Sequence, residues 1–385
     1  VTETYTVTSM SWNVAGINFA HFHMGDQLGN VRDHPDAELV AICDEDPERA
    51  TLSLETTAEQ FDLDDGQVYR DHERCLAEND VDLVITCPVP TEHAEWVEKL
   101  APHDVHIQLE KPFAASVEGC ERAMDAVDGT DSELAINWPL AWYPTHRTTK
   151  RLVDEGRIGE VIEVHFYDGN RGGQRFTEVE YGDEGEMHFM GDLEGGGPIE
   201  NVEPREREER AWWHDPDAGG GSLADYLGYG TTLGTWFRDG ELPISVTADT
   251  FVPDHMDVDT HCIAVATYEE GLSKFESRWG TFTDPWIDQP QPRCGFVLVG
   301  TEGTIASYDY AESVRVQDED SPGGYEVELD ELAPPKQNPV QYMVDRMETG
   351  EPVEFDLLRP DHNRDAQRIT DAAAASAERG EEVFL

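Results

Sequence analysis

Residues 107–113 read IQLEKPF, an alternating apolar strand that stops at an acid, a lysine and a proline. The stretch follows a helical segment, Glu92 to Leu100. A charged pair therefore arrives where a strand of an α/β unit ends, which is where such sheets keep their sites. Proline after Lys111 biases the lysine toward extended geometry and permits a cis bond. A lysine so placed can bind a hydroxyl or carbonyl oxygen. A surface Glu110–Lys111 pair before a helix explains the same three residues equally well, so the flanking chain has to decide.

Upstream, Tyr5 to Val14 is β-prone, and AGINFAHFHMGDQLGNV runs from a turn into a helix. Glu38 to Cys43 is a short apolar strand closed by Asp44 and Glu45, and DPERA opens another helix. After a loop carrying Tyr69 the pattern repeats: helix Glu73 to Glu78, strand Val81 to Thr86, helix, strand Val105 to Leu109, helix Val117 to Val127, strand Glu133 to Asn137. This alternation predicts a parallel, doubly wound sheet. It occupies residues 1–140, the size of one dinucleotide-binding unit.

In such a unit the first strand-to-helix turn cradles a pyrophosphate, and an acid closing the second strand takes the ribose hydroxyls. Gly16 and Asp44 stand in those places. Asn18 and His21 replace the second and third glycines of the usual fingerprint. Asparagine tolerates left-handed backbone, so the turn can still form; a purely structural turn would read the same way. Asp44 followed by Glu45 would repel a 2′-phosphate, which favours NAD over NADP. Arg49, one turn into the next helix, argues the other way.

At 385 residues the chain exceeds the roughly 250 to 300 at which a single core stops growing, so two domains are expected. Its 27 basic and 82 acidic residues give a net charge of −55. Self-repulsion on that scale is screened only at high salt, with a Debye length of about 3 Å at 1 M. The composition points to a cytoplasmic protein of a salt-accumulating halophile, with nine tryptophans arguing against disorder. A polyanion repels phosphate backbones, which excludes nucleic acid as a partner. The six cysteines show no paired spacing and read as reduced core residues. No run is long and apolar enough to cross a membrane, and the start lacks the pattern of a signal peptide.

The second half, residues 141–385, changes character. Helix Thr145 to Glu155 and strand Glu160 to Asp168 lead into a polar insert, Gly169 to Gly221, carrying Trp212, Trp213 and His214. Those aromatics either stack on a sugar ring or dock the loop onto the body. His188, Asp192, His214 and Asp215 lack tight ligand spacing, so no metal is expected. Runs Val246 to Phe251, His261 to Tyr268, Ser273 to Trp279, Phe296 to Val299, Thr304 to Tyr308 and Ser313 to Val316 predict an open, mainly antiparallel sheet.

Between insert and sheet, residues 219–237 read GGGSLADYLGYGTTLGTWF. Asp225 and Tyr229, at i and i+4, share one face of the predicted helix. They form a hydrogen-bonding pair for a substrate hydroxyl, or the inward stripe of an ordinary amphipathic helix.

LEKPFAAS, KRLVDEGRIGEVIEVHF, GGGxLxDxxxY, GTEGTIASY and the closing helix before VFL, in this order, resemble the family of glucose-fructose oxidoreductase and inositol 2-dehydrogenase (Gfo/Idh/MocA) across nearly the whole chain. The resemblance implies a Rossmann-type nucleotide-binding domain followed by an α/β domain whose open sheet makes homo-oligomer contacts, as a dimer or tetramer. The last helix is expected to pack back toward the first domain. By position it puts Lys111, Asp225 and Tyr229 in the active site. It puts Gly16, Asn18, His21, Asp44, Pro88, His93, Glu110 and Lys111 along the cofactor, NAD or NADP. Tyr229 stands where histidine is commoner, and the glycine expected at Leu227 comes one place late, at Gly228.

The expected activity is hydride transfer between a nicotinamide and a carbinol carbon of a cyclic sugar, sugar acid or polyol. Tyr229 is the expected base, its pKa lowered by the Lys111 ammonium, with the two roles exchangeable. Asp225 would orient the ring. A sugar-sugar oxidoreductase or oxidative-elimination glycosidase that retains its NAD, and a non-catalytic sugar or nucleotide sensor, use the same residues.

Overall fold

The computed structural model describes residues 11–170, 198, 202, 206, 210–281 and 293–385. Its first unit alternates β1 (Trp12–Ile17), α1 (His23–Asp33), β2 (Ala37–Cys43), α2 (Leu54–Gln60), β3 (Val68–Tyr69), α3 (His72–Glu78), β4 (Leu83–Thr86), α4 (His93–Leu100), β5 (His106–Glu110), α5 (Val117–Val127) and β6 (Leu134–Asn137). All adjacent pairs are parallel, in the order β3-β2-β1-β4-β5-β6. The order reverses at β1 and β4, opening a crevice at their carboxyl ends. All four residues of β4 are buried, as a strand with helices on both faces requires. The predicted loop around Tyr69 is instead β3, pairing Val68 and Tyr69 with Ile42 and Cys43. Two residues are too few to carry a period.

The second unit comprises α6 (Pro144–Asp154), β7 (Val161–Asn170), α7 (Ser222–Phe237), β8 (Ser245–Phe251), β9 (His261–Thr267), β10 (Leu272–Trp279), β11 (Gly295–Gly300), β12 (Gly303–Tyr308), β13 (Ser313–Asp318), β14 (Tyr325–Glu328), α8 (Pro339–Thr349), α9 (Pro360–Arg379) and β15 (Val383–Phe384). Its strands form one sheet, β14-β13-β12-β11-β7-β10-β9-β8-β15, antiparallel throughout except where β7 and β10 run parallel.

Helix α7 lies flat on this sheet because glycine faces it. A Cβ on Gly230 would come within 2.4 Å of the Phe166 ring, and one on Gly234 within 2.9 Å of Phe275. The start of α7 is capped from outside: the Asp259 carboxylate accepts from Ser222 Oγ at 2.5 Å and Leu223 N–H at 2.9 Å. On its other side α7 meets α9. Helix α9 ties both units together, with Trp138 Nε1 donating to Asn363 at 2.5 Å and Val117 N–H to Asp371 at 2.9 Å. The opposite face of the sheet exposes Phe251, Ile263 and Leu272. All six cysteines are free and buried. No helix among the described residues is long and apolar enough to cross a membrane.

Candidate active site

Strand β5 ends at Glu110, and Lys111 follows in a cis peptide to Pro112. The lysine is 2% exposed, and its Nζ donates to Asp225 Oδ1 of α7 at 2.5 Å. Two residues 114 positions apart thus form a buried ion pair between the units. The same ammonium lies 5.1 Å from the centroid of the Tyr229 ring. It sits over the ring face, where the aromatic quadrupole attracts it. Burial, and then the carboxylates of Glu110 and Asp225, hold the Tyr229 phenol well above its ordinary pKa. The expected lowering by Lys111 is therefore reversed. Tyr229 stands at neutral pH as a protonated donor, its ring edge-on to Trp138 at 5.1 Å. Gly228, one place later than the resemblance implied, is small for that indole: a Cβ there would lie 2.8 Å from it.

These three side chains line a cavity of about 290 Å³ that His21, His23, Trp212, Trp213 and Trp279 also line. Asp168, Asn170, Tyr226 and Asp309 complete its lining. Asn170 Nδ2 donates to Tyr226 Oη at 3.1 Å, and His146 Nε2 lies 3.0 Å from Asp309. Burial, then the Asp309 charge, pushes the Asp168 carboxyl well above its ordinary pKa. Among the described residues Trp279 Nε1 is buried without an acceptor, a donor available to a ligand.

The crevice of the first sheet adjoins this cavity. Asn18 adopts the left-handed conformation at φ 67°, as its residue type allows. Gly16 lets α1 pack, since a Cβ would lie 3.3 Å from the Phe19 ring and 3.4 Å from Leu28. Asp44 is buried and accepts from the N–H groups of Phe19 and Asp46, both at 2.8 Å. Burial nevertheless pushes its pKa up. His21, in the place of the third glycine, is buried beside Trp212, with ring centroids 5.4 Å apart. Trp212 docks on Ala20 and Val89, so the insert's aromatic both anchors its segment and lines the cavity. His93 Nδ1 lies 2.6 Å from the Pro112 carbonyl and its Nε2 3.1 Å from that of Pro88. It buttresses two loops and does not face the crevice with a free nitrogen. Glu110 is likewise turned inward, to His23 and Gln27.

His188 and Asp192 lie outside the described residues, and Asp215 accepts from Asp217 N–H at 2.9 Å to cap a turn. His21, His23 and Glu110 cluster closely enough to suggest a cation. However, His21 Nδ1 already accepts from His23 N–H at 3.1 Å, which puts the ring's proton on Nε2 and removes that lone pair from ligation.

Residues 11–137 match the model of an oxidoreductase family with an NAD-binding Rossmann fold, and residues 146–306 match the GFO/IDH/MocA C-terminal domain. The chain belongs to the GFO/IDH/MocA family. Among its relatives, D-apiose dehydrogenase of Rhizobium rhizogenes is 27% identical over 172 residues, 45% of this chain and 48% of that protein. D-xylose 1-dehydrogenase [NADP(+)] of Haloarcula marismortui is 30% identical over 128 residues, 33% and 35% of the two chains. The chain thus aligns with about half or less of the length of these relatives. The fold is shared along the whole chain with aldose-aldose oxidoreductase from Caulobacter crescentus, solved with glycerol. The TM-score is 0.74 at 17% identity, covering 97% of this chain and 100% of that one.

The crevice of this GFO/IDH/MocA chain fits a nicotinamide dinucleotide. Asn18 makes the turn, Asp44 closes β2, and Trp212 Nε1 is a buried donor without an acceptor among the described residues, beside Ala20 and Val89. Asn18 N–H and His21 N–H donate to the carbonyls of Cys43 and Cys87, both at 2.9 Å, and two further amides of the turn are engaged by side chains, Phe19 N–H by Asp44 and Ala20 N–H by Asn18 Oδ1 at 3.1 Å. A pyrophosphate would have to draw them from those side chains. His23, Asp168, Trp279 and Asp309 escaped the sequence reading. His23 lies two positions from His21 but gains its role from Glu110, 87 positions away, and the other three meet the chosen residues only in space.

Proposed function

We propose that this protein is a nicotinamide-dependent dehydrogenase of cyclic sugars or polyols, working at the Lys111–Asp225–Tyr229 cavity. The observation that carries the reading is the buried 2.5 Å ion pair beside a phenol, in a cavity open to the cofactor crevice. The oxidised nicotinamide, when bound, supplies the hydride acceptor. Lys111 then stabilises negative charge developing on the substrate oxygen, a role worth about 3 kcal/mol per donor. Asp225 fixes the ammonium. Tyr229 donates a hydrogen bond to a substrate oxygen. Trp212 and Trp279 offer indole N–H groups and apolar faces to the ring. The test is reduced-nicotinamide absorbance during a screen of aldoses, uronates and inositols with NAD and NADP in concentrated KCl. Reduction with a polyhydroxylated ring supports the reading, and its absence with every compound and both cofactors overturns it.

NAD is the preferred cofactor. Around Asp44 stand Glu45, Asp46, Glu92 and Glu95, while Arg49 is paired to Glu92 at 2.8 Å and Lys99 to Glu95 at 2.9 Å. Both cations are thus engaged away from a 2′-phosphate. Asp44→Ala is expected to weaken NAD about tenfold and to narrow the preference over NADP, as read from KM for each cofactor. An unchanged KM ratio would remove Asp44 from ribose recognition.

The charge of −55 supports function in concentrated salt, and the exposed Phe251, Ile263 and Leu272 support a homo-oligomer through the second sheet. Sedimentation velocity reads both. A compact oligomer is expected in molar KCl, with an expanded or dissociated chain in dilute buffer. A compact monomer in both would count against each.

A further inference from the structure

The reaction proposed above releases a proton, and the cavity's obvious groups cannot take it. Tyr229 is held protonated by burial and neighbouring carboxylates. Lys111 and Asp225 neutralise each other at 2.5 Å. His21 has its Nδ1 lone pair committed to the His23 N–H, and its pKa is lowered by burial, then by His23 and Lys111. Asp309 is engaged by His146, and Asp168 by the Gly169 N–H at 2.6 Å, with burial and the Asp309 charge pushing its pKa up.

His23 is different. It opens α1, is 5% exposed, and lines the same cavity as Lys111. Its Nδ1 lies 2.7 Å from Glu110 Oε1. Glu110 is fully buried, and its other oxygen accepts from Gln27 Nε2 at 3.1 Å. Gln27 is itself fixed by a hydrogen bond from Gln108. A carboxylate whose two oxygens both accept requires a proton of His23 on Nδ1, and in the neutral ring that leaves the Nε2 lone pair bare. Among the described residues no protein donor hydrogen-bonds to Nε2, whereas Nδ1 and the backbone N–H of His23 are both engaged. The carboxylate–imidazole pair is built without help from the ion pair next to it. Besides the pair itself, the charged or titratable groups around it are Lys111 after β5, His21 before α1, Cys87 after β4, His93 of α4, and Asp225 and Tyr229 of α7.

We infer that His23, oriented by Glu110, is the base that takes the substrate's hydroxyl proton. The inference rests on the dehydrogenase reading. The carbinol C–H bond breaks with its electron pair leaving to the oxidised nicotinamide, the O–H bond breaks with its proton passing to His23 Nε2, and the carbon–oxygen double bond forms. The imidazolium then returns the proton to water at the cavity mouth. Glu110 is a positioning residue that stabilises the imidazolium.

The test uses the full chain in concentrated KCl. His23→Ala is expected to lower kcat at least about a hundredfold, with NADH binding, read by quenching of tryptophan fluorescence, unchanged. Added imidazole is expected to restore at least a tenth of the lost rate. His23→Gln, which keeps a donor for Glu110, should fold as the wild type and remain slow. Independently of turnover, ¹⁵N-histidine spectra should show the cross-peaks lost in His23→Gln to be those of a neutral ring protonated on Nδ1. The Glu110→Gln variant should change that tautomer.

A His23→Ala rate within threefold of wild type, a failure of imidazole to rescue, or an Nε2-protonated ring would each overturn the assignment while leaving the dehydrogenase reading intact. A wild type that oxidises no alcohol with either cofactor would overturn both.

Discussion

Lys111→Met is expected to lower kcat/KM by about a thousandfold. The substitution keeps the length and apolar stem of the side chain and removes its charge and all three donors. The ammonium is 2% exposed, held by Asp225 and walled by the Tyr229 ring, so its interaction with a developing oxyanion is not diluted by water. Electrostatic donors so placed are worth about 3 to 4 kcal/mol each in the transition state. The loss should fall mainly on kcat, because the interaction strengthens as charge develops on the oxygen. Cofactor affinity, read by fluorescence, serves as the control. A variant within threefold of wild type would remove Lys111 from the chemistry.

Asp225→Ala is expected to cost about 3 to 5 kcal/mol of stability as well as activity. Removing the carboxylate strands a buried ammonium, and breaking one half of a buried pair costs far more than the pair itself contributes. The double variant Lys111→Met/Asp225→Ala separates the two effects. It should recover most of the lost stability, because no uncompensated charge remains, while staying inactive. Calorimetric unfolding of the wild type, both single variants and the double variant closes the cycle. Additive losses would show that Lys111 and Asp225 do not sense each other in solution.

The parallel sheet was legible because its strands and helices carry different periods, and the stop at Glu110–Lys111 marked the site end of β5. The second sheet was legible as a run of short alternating strands. The parallel pairing of β7 with β10 was not, since alternation along one strand carries no information about the direction of its neighbour. Nor was β15, where Val383 and Phe384 complete the edge beside β8.

At the site, helical spacing put Asp225 and Tyr229 on one face, and only the family resemblance singled that face out from an ordinary inward stripe. The expected lowering of the Tyr229 pKa is reversed because a ring-face contact with Lys111 leaves the phenol under the control of burial and nearby carboxylates. His23 with Glu110, and Asp259 capping α7, depend on contacts between residues 87 and 36 or more positions apart, which local pattern cannot supply. His21 is the reverse case. It was noticed as a missing glycine, and the structure gives it a place, packed against Trp212 at the meeting of the cofactor crevice and the cavity.

The most direct measurement is a crystal structure of the Lys111→Met variant with NAD bound and a substrate alcohol trapped by the slowed reaction. The account predicts the reacting hydroxyl between Asp225, Tyr229 and the methyl end of the substituted side chain, within hydrogen-bonding reach of His23 Nε2 directly or through one water, with its carbon over the nicotinamide ring. An alcohol bound elsewhere, or a dinucleotide whose ring lies away from residues 111, 225 and 229, would contradict it.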